Sequence, residues 1–551
     1  MNAHSNGGAV ASGGAVASTS GAAAAGCAAG GGAAGGAGAA AAGAAGCSAA
    51  GGGDAAAATT SAAAATNGAE GSTNLIDDQD AKRRKCLETD ETQDGASTMI
   101  DASSVLNKIA HLYAEQLMSD IILLVDGKTY PAHRVILCAS SDVFQVMLMN
   151  PEWNECSKNV IELHEDPLCS AVFPQFIKYL YVGHIEVTLQ TVMPMLALSE
   201  KYNVRDLIEL CVGYMMKHVA KAATSGYLVS WLQYLLSFTP SHTDLTETLK
   251  RFLKWNLEMV ADSKDFVDMD TAILQLLLQQ NDLVVSSEYK LFTIVQTWLL
   301  HRRELIEANA EIEADKKLTT FMELIEQTVV HIRFSMMTPR ELAHLLIVPL
   351  IEYHKEYLVE RIAIGMSYQS GQDDRVREVR NSHGNELQFT PRLYFNDTWT
   401  VGVDVHNFDE IEEFKNYVTC FFSQRHIAET EDDASMTWEV EFFPRGVNYI
   451  KAKMVCGEYV PGCSLYTIAV LIVGVQNKIS HIRTVVERTE YFTDNARVIN
   501  LDNLLPYEEL EQSSRYLSAH LTGTQRNTLS LHVVITPMDR FTCRETALFQ
   551  F

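Results

Sequence analysis

A break in composition near residue 73 constrains this chain more than any other feature. Up to that point nearly every side chain is Ala, Gly, Ser or Thr, and the only formal side-chain charges are Asp54 and Glu70. Such a segment has almost no large apolar groups to bury, so it cannot offset the entropy lost on ordering. Residues 1–99 are therefore expected to be a disordered, low-complexity tail. Its last part, residues 74–99, is polar and holds four adjacent cations, Lys82, Arg83, Arg84 and Lys85. This cluster has the form of a nuclear import signal. A solvated run balancing Asp77, Asp78 and Asp80 is the alternative, and both readings stay open.

Charge narrows the possible partners. The 43 basic and 69 acidic side chains leave a net charge of −26, nearly all of it beyond residue 73. A surface this acidic repels phosphate backbones, so nucleic acid is not an expected partner. No run approaches the ~20 apolar residues of a membrane span; the longest apolar stretch, 468–475, has strand length. The first residues lack a basic start and a Leu-rich core, so no secretory signal is read there. Eleven cysteines are scattered without a CxxC pair, which points to reduced thiols in the cytosol or nucleus. A cytoplasmic location is expected, with the nucleus as a second possibility through the basic cluster.

At roughly 150 residues per domain, 551 residues allow three or four units, and the patterning divides the chain accordingly. Over 100–219, Leu106, Ile109, Ala110, Tyr113 and Leu117 recur at helical steps, with Asp101, Ser103 and Ser104 as candidate caps. The apolar run from Ile121 to Val125 predicts a strand covered on both faces. Asp126-Gly127 supplies a turn into Lys128, Thr129 and Tyr130. Helical patterns follow, so this unit is α/β. Residues 220–366 hold little but helical periodicity, broken at Thr239-Pro240, Asn281-Asp282 and Thr338-Pro339, which predicts an all-α module. The polar stretch 367–389 reads as a linker. In 390–551 the period becomes two: Trp438, Val440 and Phe442 alternate with Thr437, Glu439 and Glu441. That predicts an antiparallel β-sandwich, with one helical excursion over 502–516.

A search for catalytic chemistry returns nothing. HExxH, GxSxG, GxxxxGK[ST] and GxGxxG after a strand are all absent. Seventeen histidines are dispersed, and Cys456 and Cys463 have no second pair at zinc-ligand spacing. No metal, cofactor or enzymatic activity is expected, so function should rest on surfaces. One charged pair does draw notice: Asp120 precedes the buried strand and Arg134 follows the hairpin. Burial without pairing is costly, so the two are expected to satisfy each other. The alternative is a charged pocket that grips a peptide.

These residues resemble the BTB/POZ family. The matching blocks are Ser119-Asp120-Ile121-Ile122-Leu123-Leu124-Val125, Ala132-His133-Arg134-Val135-Ile136-Leu137, Ala139-Ser140-Ser141-Asp142-Val143-Phe144 and Phe176-Ile177-Lys178-Tyr179-Leu180-Tyr181-Val182-Gly183. The helical region resembles the BACK domain through Leu291 to Leu299, with Trp298, and through Ile332-Arg333-Phe334 before Thr338-Pro339-Arg340-Glu341-Leu342. The last region is similar to TRAF/MATH-type sandwiches through the run from Trp438 to Gly446.

The resemblance implies a two-fold dimer through the first helix, Val105 to Leu117, with Leu106, Ile109 and Tyr113 meeting their counterparts. Packing of that stripe on its own domain is the plainer alternative. It also implies binding to the scaffold cullin-3 through a hydrophobic-x-Glu step, here Trp153-Asn154-Glu155, with Tyr181 as a further contact. Trp stands where the family commonly has Met or an aliphatic residue. Trp153 as a loop-packing residue is the competing reading. On the resemblance, the chain would be a non-catalytic adaptor that recruits an unidentified protein substrate to a ubiquitin ligase. A dimeric scaffold or transcriptional co-regulator that does not bind cullin is the other function left open.

Overall fold

In the computed structural model, the structure describes residues 101–551 except 240, 384–385, 413–414, 425–426, 428–435, 445–448, 456–463, 493–496, 503, 506–518 and 539–551. The Ala/Gly tail, Lys82, Arg83, Arg84 and Lys85 lie outside these residues, as does most of the helix expected over 502–516.

The carboxylate of Asp101 accepts from the Ser104 backbone N–H at 3.0 Å and so starts α1 (Ala102–Ala114). Gln116 and Met118 adopt positive φ, 51° and 60°, which stops the helix before Leu117. β1 (Ile121–Val125) and β2 (Lys128–Ala132) form an antiparallel hairpin. Its turn residues Asp126 and Gly127 both lie at positive φ, as a two-residue type I′ turn requires. β3 (Val160–Leu163) runs parallel to β1 on the other side. Ile121, Leu123 and Val125 are fully buried, while Ile122 and Leu124 are only half-buried. The strand expected to be covered on both faces is thus fully covered on one. The helices of this unit are α2 (Arg134–Ser140), α3 (Asp142–Met149), α4 (Pro167–Val182), α5 (Val192–Lys201) and α6 (Arg205–Lys217).

The helical module comprises α7 (Val219–Ser225), α8 (Leu228–Phe238), α9 (Thr243–Trp255), α10 (Leu257–Ala261), α11 (Thr271–Leu278), α12 (Glu288–Ala308), α13 (Ala314–Val329) and α14 (Pro339–Leu345). The Thr338-Pro339 break is a helix start: Thr338 and Glu341 cap each other's backbone N–H groups in a capping box. The stretch expected as a linker is mostly folded helix, α15 (Lys355–Gln369) followed by α16 (Asp373–His383). Many of its polar residues remain in solvent, but two of its glutamines are spent inside the protein. Gln369 donates to the Ser335 carbonyl at 2.8 Å, Gln388 donates to the Val330 carbonyl at 2.6 Å, and Val376 is buried. Polarity here marks the exposed face of a folded helix together with two buried hydrogen-bonding glutamines, which composition alone does not distinguish from a solvated linker.

A two-residue strand, β4 (Val284–Val285), pairs in parallel with β5 (Leu393–Tyr394) and ties the helical module to the segment entering the sandwich. Beneath it lies a buried ionic network. Arg392 Nε donates to Glu288 Oε1 at 2.6 Å, with both side chains 0% exposed. The Tyr394 hydroxyl donates to the same oxygen at 3.2 Å. The remaining Arg392 N–H groups go to the carbonyls of Leu278, Gln280 and His331. Arg333 donates to the Thr390 carbonyl and to Asn281 Oδ1, each at 2.7 Å.

The sandwich has two sheets. One places β11 (Ile479–Phe492), β10 (Ser464–Gln476) and β14 (Thr528–Pro537) side by side, with β13 (Leu521–Thr522) and β6 (Thr400–Val405) on β14. The other has the order β12 (Val498–Asp502), β9 (Tyr449–Val455), β8 (Met436–Phe443), β7 (Tyr417–Ser423). On β8 the predicted alternation holds, with Trp438, Val440 and Phe442 pointing into the core. On β14 buried Leu529, Leu531 and Val533 alternate with half-buried Ser530 and His532, and the alternation ends at Val534, which lies on the outer face and is buried as well. Val534, Ala469 and Leu471 join the apolar core of the helical module. One face of this sheet is therefore a docking face.

Polar clamps fix the dock. At the β10–β11 turn, Gln476 accepts from the Ala220 N–H at 2.8 Å and donates to the Met216 carbonyl at 2.9 Å. Asn477 donates to the Lys217 carbonyl at 2.9 Å. The Asn256 amide, at the end of α9, takes both backbone groups of Ile482, at 2.7 and 2.9 Å, as a neighbouring strand would. His481 lies against Phe252 at 5.1 Å between centroids.

Burial, together with Arg483 and His481, pushes the His520 imidazole down to about 4 from its ordinary 6.5. Between these values the unfolded chain binds the proton that the folded chain refuses. Stability that rests on the neutral ring is therefore present above pH 6.5 and is lost as pH falls toward 4, by up to about 1.4 kcal/mol per pH unit. Urea unfolding at pH 7, 6 and 5 should show this slope, and His520→Asn should flatten it. Equal slopes for the two proteins would remove His520 as the cause.

Candidate docking surfaces

The hydroxyl of Ser141 accepts from the Phe144 N–H at 3.0 Å and so caps α3. Phe144 and Leu148 of that helix turn inward, while Val143, Val146 and Met149 at three-residue steps remain exposed. Asn150 ends the helix, and Trp153 follows as the residue before a single 3₁₀ turn, Asn154–Ser157, that packs on α3. Trp153 is 51% exposed. An indole left in water on a short ordered loop is a large apolar surface with little left to lose on docking. Glu155 is partly exposed, and Lys158 Nζ faces it at 3.4 Å.

Arg134 has a role different from the one expected. Asp120 is exposed, and its carboxylate accepts from the backbone N–H of Arg134 at 2.8 Å. It thereby serves a free donor in the first turn of α2. The guanidinium is not paired with it. Arg134 instead donates to the carbonyls of Leu148, Cys156 and Lys158, the first two at 3.4 and 3.1 Å. A planar fork matches several loop carbonyls better than a single carboxylate held by another donor. The consequence is functional: Arg134 props the Trp153 loop at both ends.

Tyr181 is not on this surface. It is 2% exposed, and its hydroxyl accepts from the His133 backbone N–H at 2.9 Å. His133 Nε2 lies 2.6 Å from the Leu117 carbonyl and donates to it, so Nδ1 accepts from the Tyr181 hydroxyl at 2.9 Å. Burial pushes that phenol up to about 12. The expected contact with a partner protein is replaced by an internal lock between α4, α2 and the chain leaving α1.

The stripe on α1 divides. Tyr113 lies against Tyr181 with ring centroids 4.9 Å apart and planes tilted by 34°, and Ile109 packs on the domain core. Leu106 is 52% exposed, as is its neighbour Val105 to a similar degree. Among the described residues no cluster of His, Cys, Asp and Glu could hold a metal ion, and no helix is long and apolar enough to cross a membrane.

Sequence reasoning missed the loop-propping function of Arg134 and the exposed α3 face. The signal for the latter was present, since residues 143, 146 and 149 are apolar at the same three-residue step. Periodicity identified the helix but not which of its two apolar faces lay outward.

Comparison with known families locates these elements. Residues 109–219 match the BTB/POZ domain, residues 231–312 match BTB And C-terminal Kelch (BACK), and residues 389–539 match the BTBD17 TRAF domain. The chain carries BTB/POZ, BACK and BTBD17-type TRAF domains. Its homologues at moderate identity include BTB/POZ domain-containing protein 17 of Xenopus laevis, 27% identical over 363 residues, or 64% of this chain and 70% of that protein. The Homo sapiens protein of the same name is 33% identical over 213 residues, covering 37% and 42%. Kelch-like protein 24 of Homo sapiens is 22% identical over 330 residues, covering 58% and 48%. The order of a BTB domain followed by BACK is typical of cullin-3 adaptors. BTB, BACK and TRAF families are typically non-catalytic adaptors.

Proposed function

We propose that this protein is a non-catalytic, substrate-recruiting adaptor of a cullin-3 RING ubiquitin ligase. The observation that carries the reading is the exposed Trp153, followed by Glu155, on a loop that Arg134 holds in place. In this reading Trp153 and the outer face of α3 form the desolvated anchor for the cullin, and Glu155 meets a cation at its rim. Two copies pair through α1, with Leu106 and Val105 at the seam. The TRAF domain holds a protein substrate, and the adaptor acts by tethering, which raises the local concentration of substrate lysines near the charged ubiquitin carrier. It acts in the cytoplasm, and Lys82 to Lys85 would provide a route into the nucleus.

The test is binding of the full chain to the N-terminal region of cullin-3, for wild type and for Trp153→Ala with Glu155→Ala. Losing a central aromatic anchor is expected to cost 2 kcal/mol or more, about a 30-fold weaker Kd, with an unchanged circular dichroism spectrum. Equal affinity for the variant would move the site elsewhere. A wild-type protein that does not bind would end the cullin reading.

A further inference from the structure

The outer strands of the two sandwich sheets are β6 and β11 in one and β7 and β12 in the other. Edge strands present unpaired backbone groups, and proteins guard them with charge, proline, a bulge or a cover. Three of these edges are guarded. β6 carries Asp404 and β12 ends on Asp502. β11 carries Arg483, Glu487, Arg488 and Glu490, and Asn256 occupies both backbone groups of Ile482.

Among the described residues, β7 has no guard of this kind: its sequence, from Tyr417 to Ser423, contains no charge and no proline, and its pairing with β8 runs without a bulge. β6 of the opposite sheet lies alongside it without pairing to it. One face of β7 is apolar and open. Val418 is 54% exposed, Phe422 is 64% exposed, and Cys420 between them is exposed as well. The order of these side chains identifies the occupant. An antiparallel strand pair centred on Cys420 sets Cys420 against Cys420, Val418 against Phe422, and Phe422 against Val418. The strand is its own complement: both apolar groups find an apolar partner across the seam, and no charge is trapped.

We infer that β7 pairs with β7 of a second copy of this chain, joining two sandwiches into one continuous sheet about a two-fold axis at Cys420. The area is small, so the contact is weak and depends on concentration. It uses a face separate from α1. A chain with both faces engaged would therefore link into assemblies larger than a dimer.

In either class of antiparallel pair the facing Cα atoms lie about 4.5–5.5 Å apart, within disulfide reach. This supplies the test. The reduced full chain is run in sedimentation velocity over a concentration series, then treated briefly with diamide, digested and mapped by mass spectrometry. Wild type should gain mass with concentration and give a Cys420–Cys420 linked peptide. Val418→Lys with Phe422→Lys keeps the thiol but sets Lys against Lys across the axis. It should lose at least nine-tenths of that peptide and the concentration-dependent gain, with an unchanged melting curve. Cys420→Ser should lose the linked peptide and keep the gain in mass. The inference is overturned if wild type yields no Cys420–Cys420 peptide, or if the lysine variant yields as much of it as wild type.

Discussion

Trp438→Ala is expected to destabilise the TRAF sandwich by about 3–5 kcal/mol, the range for removing a fully buried large aromatic side chain. Trp438 is 0% exposed and packs edge-on against Tyr466 and Phe492, at 5.0 and 5.2 Å between centroids. Its indole N–H donates to Ser423 Oγ at 2.9 Å, so truncation also removes a buried hydrogen bond and leaves that hydroxyl only its bond to the Gln424 carbonyl at 3.2 Å. The three rings come from β8, β10 and β11, so the cavity would open where the two sheets face one another. Hydrogen exchange of peptides from β8 and β10 is the suitable readout, because a multidomain chain need not unfold in one step. Exchange through sandwich opening should accelerate by roughly two to three and a half orders of magnitude. Trp438→Phe, which keeps most of the volume, should lose much less. Equal losses for the two variants would show that the ring's size is not what matters.

Glu288→Ala is the second large effect, again about 3–5 kcal/mol, because breaking a buried ion pair strands its partner. Glu288 accepts from Arg392 and Tyr394, and the Arg333 backbone N–H approaches its other oxygen at 3.5 Å. Burial already pulls the Arg333 guanidinium down to about 10, with Arg392 adding to the effect. Removing the carboxylate leaves two neighbouring buried guanidinium groups held only by neutral carbonyl and amide acceptors. The mutant should show early exchange at β4 and β5, the strand pair over the network. A cycle with Arg392→Met separates pairing from burial. The double mutant should recover part of the loss, and strict additivity would mean the two groups do not interact.

The periodic parts of this architecture could be read without coordinates. The hairpin at Asp126-Gly127, the helical module and the alternation on β8 all follow from local rules that the tertiary structure does not override. The residues that escaped reading are those whose partners lie far along the chain. Glu288 meets Arg392 across 104 positions, and Asn256 meets Ile482 across 226. No local pattern reports such pairings. The same holds for Arg134, whose targets are backbone carbonyls that leave no mark in sequence. Tyr181 and Trp153 were assigned alike from family resemblance, yet one is an internal lock and the other stands in solvent. Motif matching gives the position of a side chain but not its depth.

The anchoring of Gln476, Asn477 and Asn256 has a further consequence. A receptor on a loose string sweeps a wide volume and accepts cargo of many sizes. If the TRAF domain holds a substrate as proposed, a bolted receptor would work like a jig: whatever it grips would be presented at one bearing and one reach from Trp153. Selectivity would then depend on where the cargo's reactive amines fall as well as on which peptide fits. Loosening the bolts should broaden the set of modified sites before it weakens the grip itself.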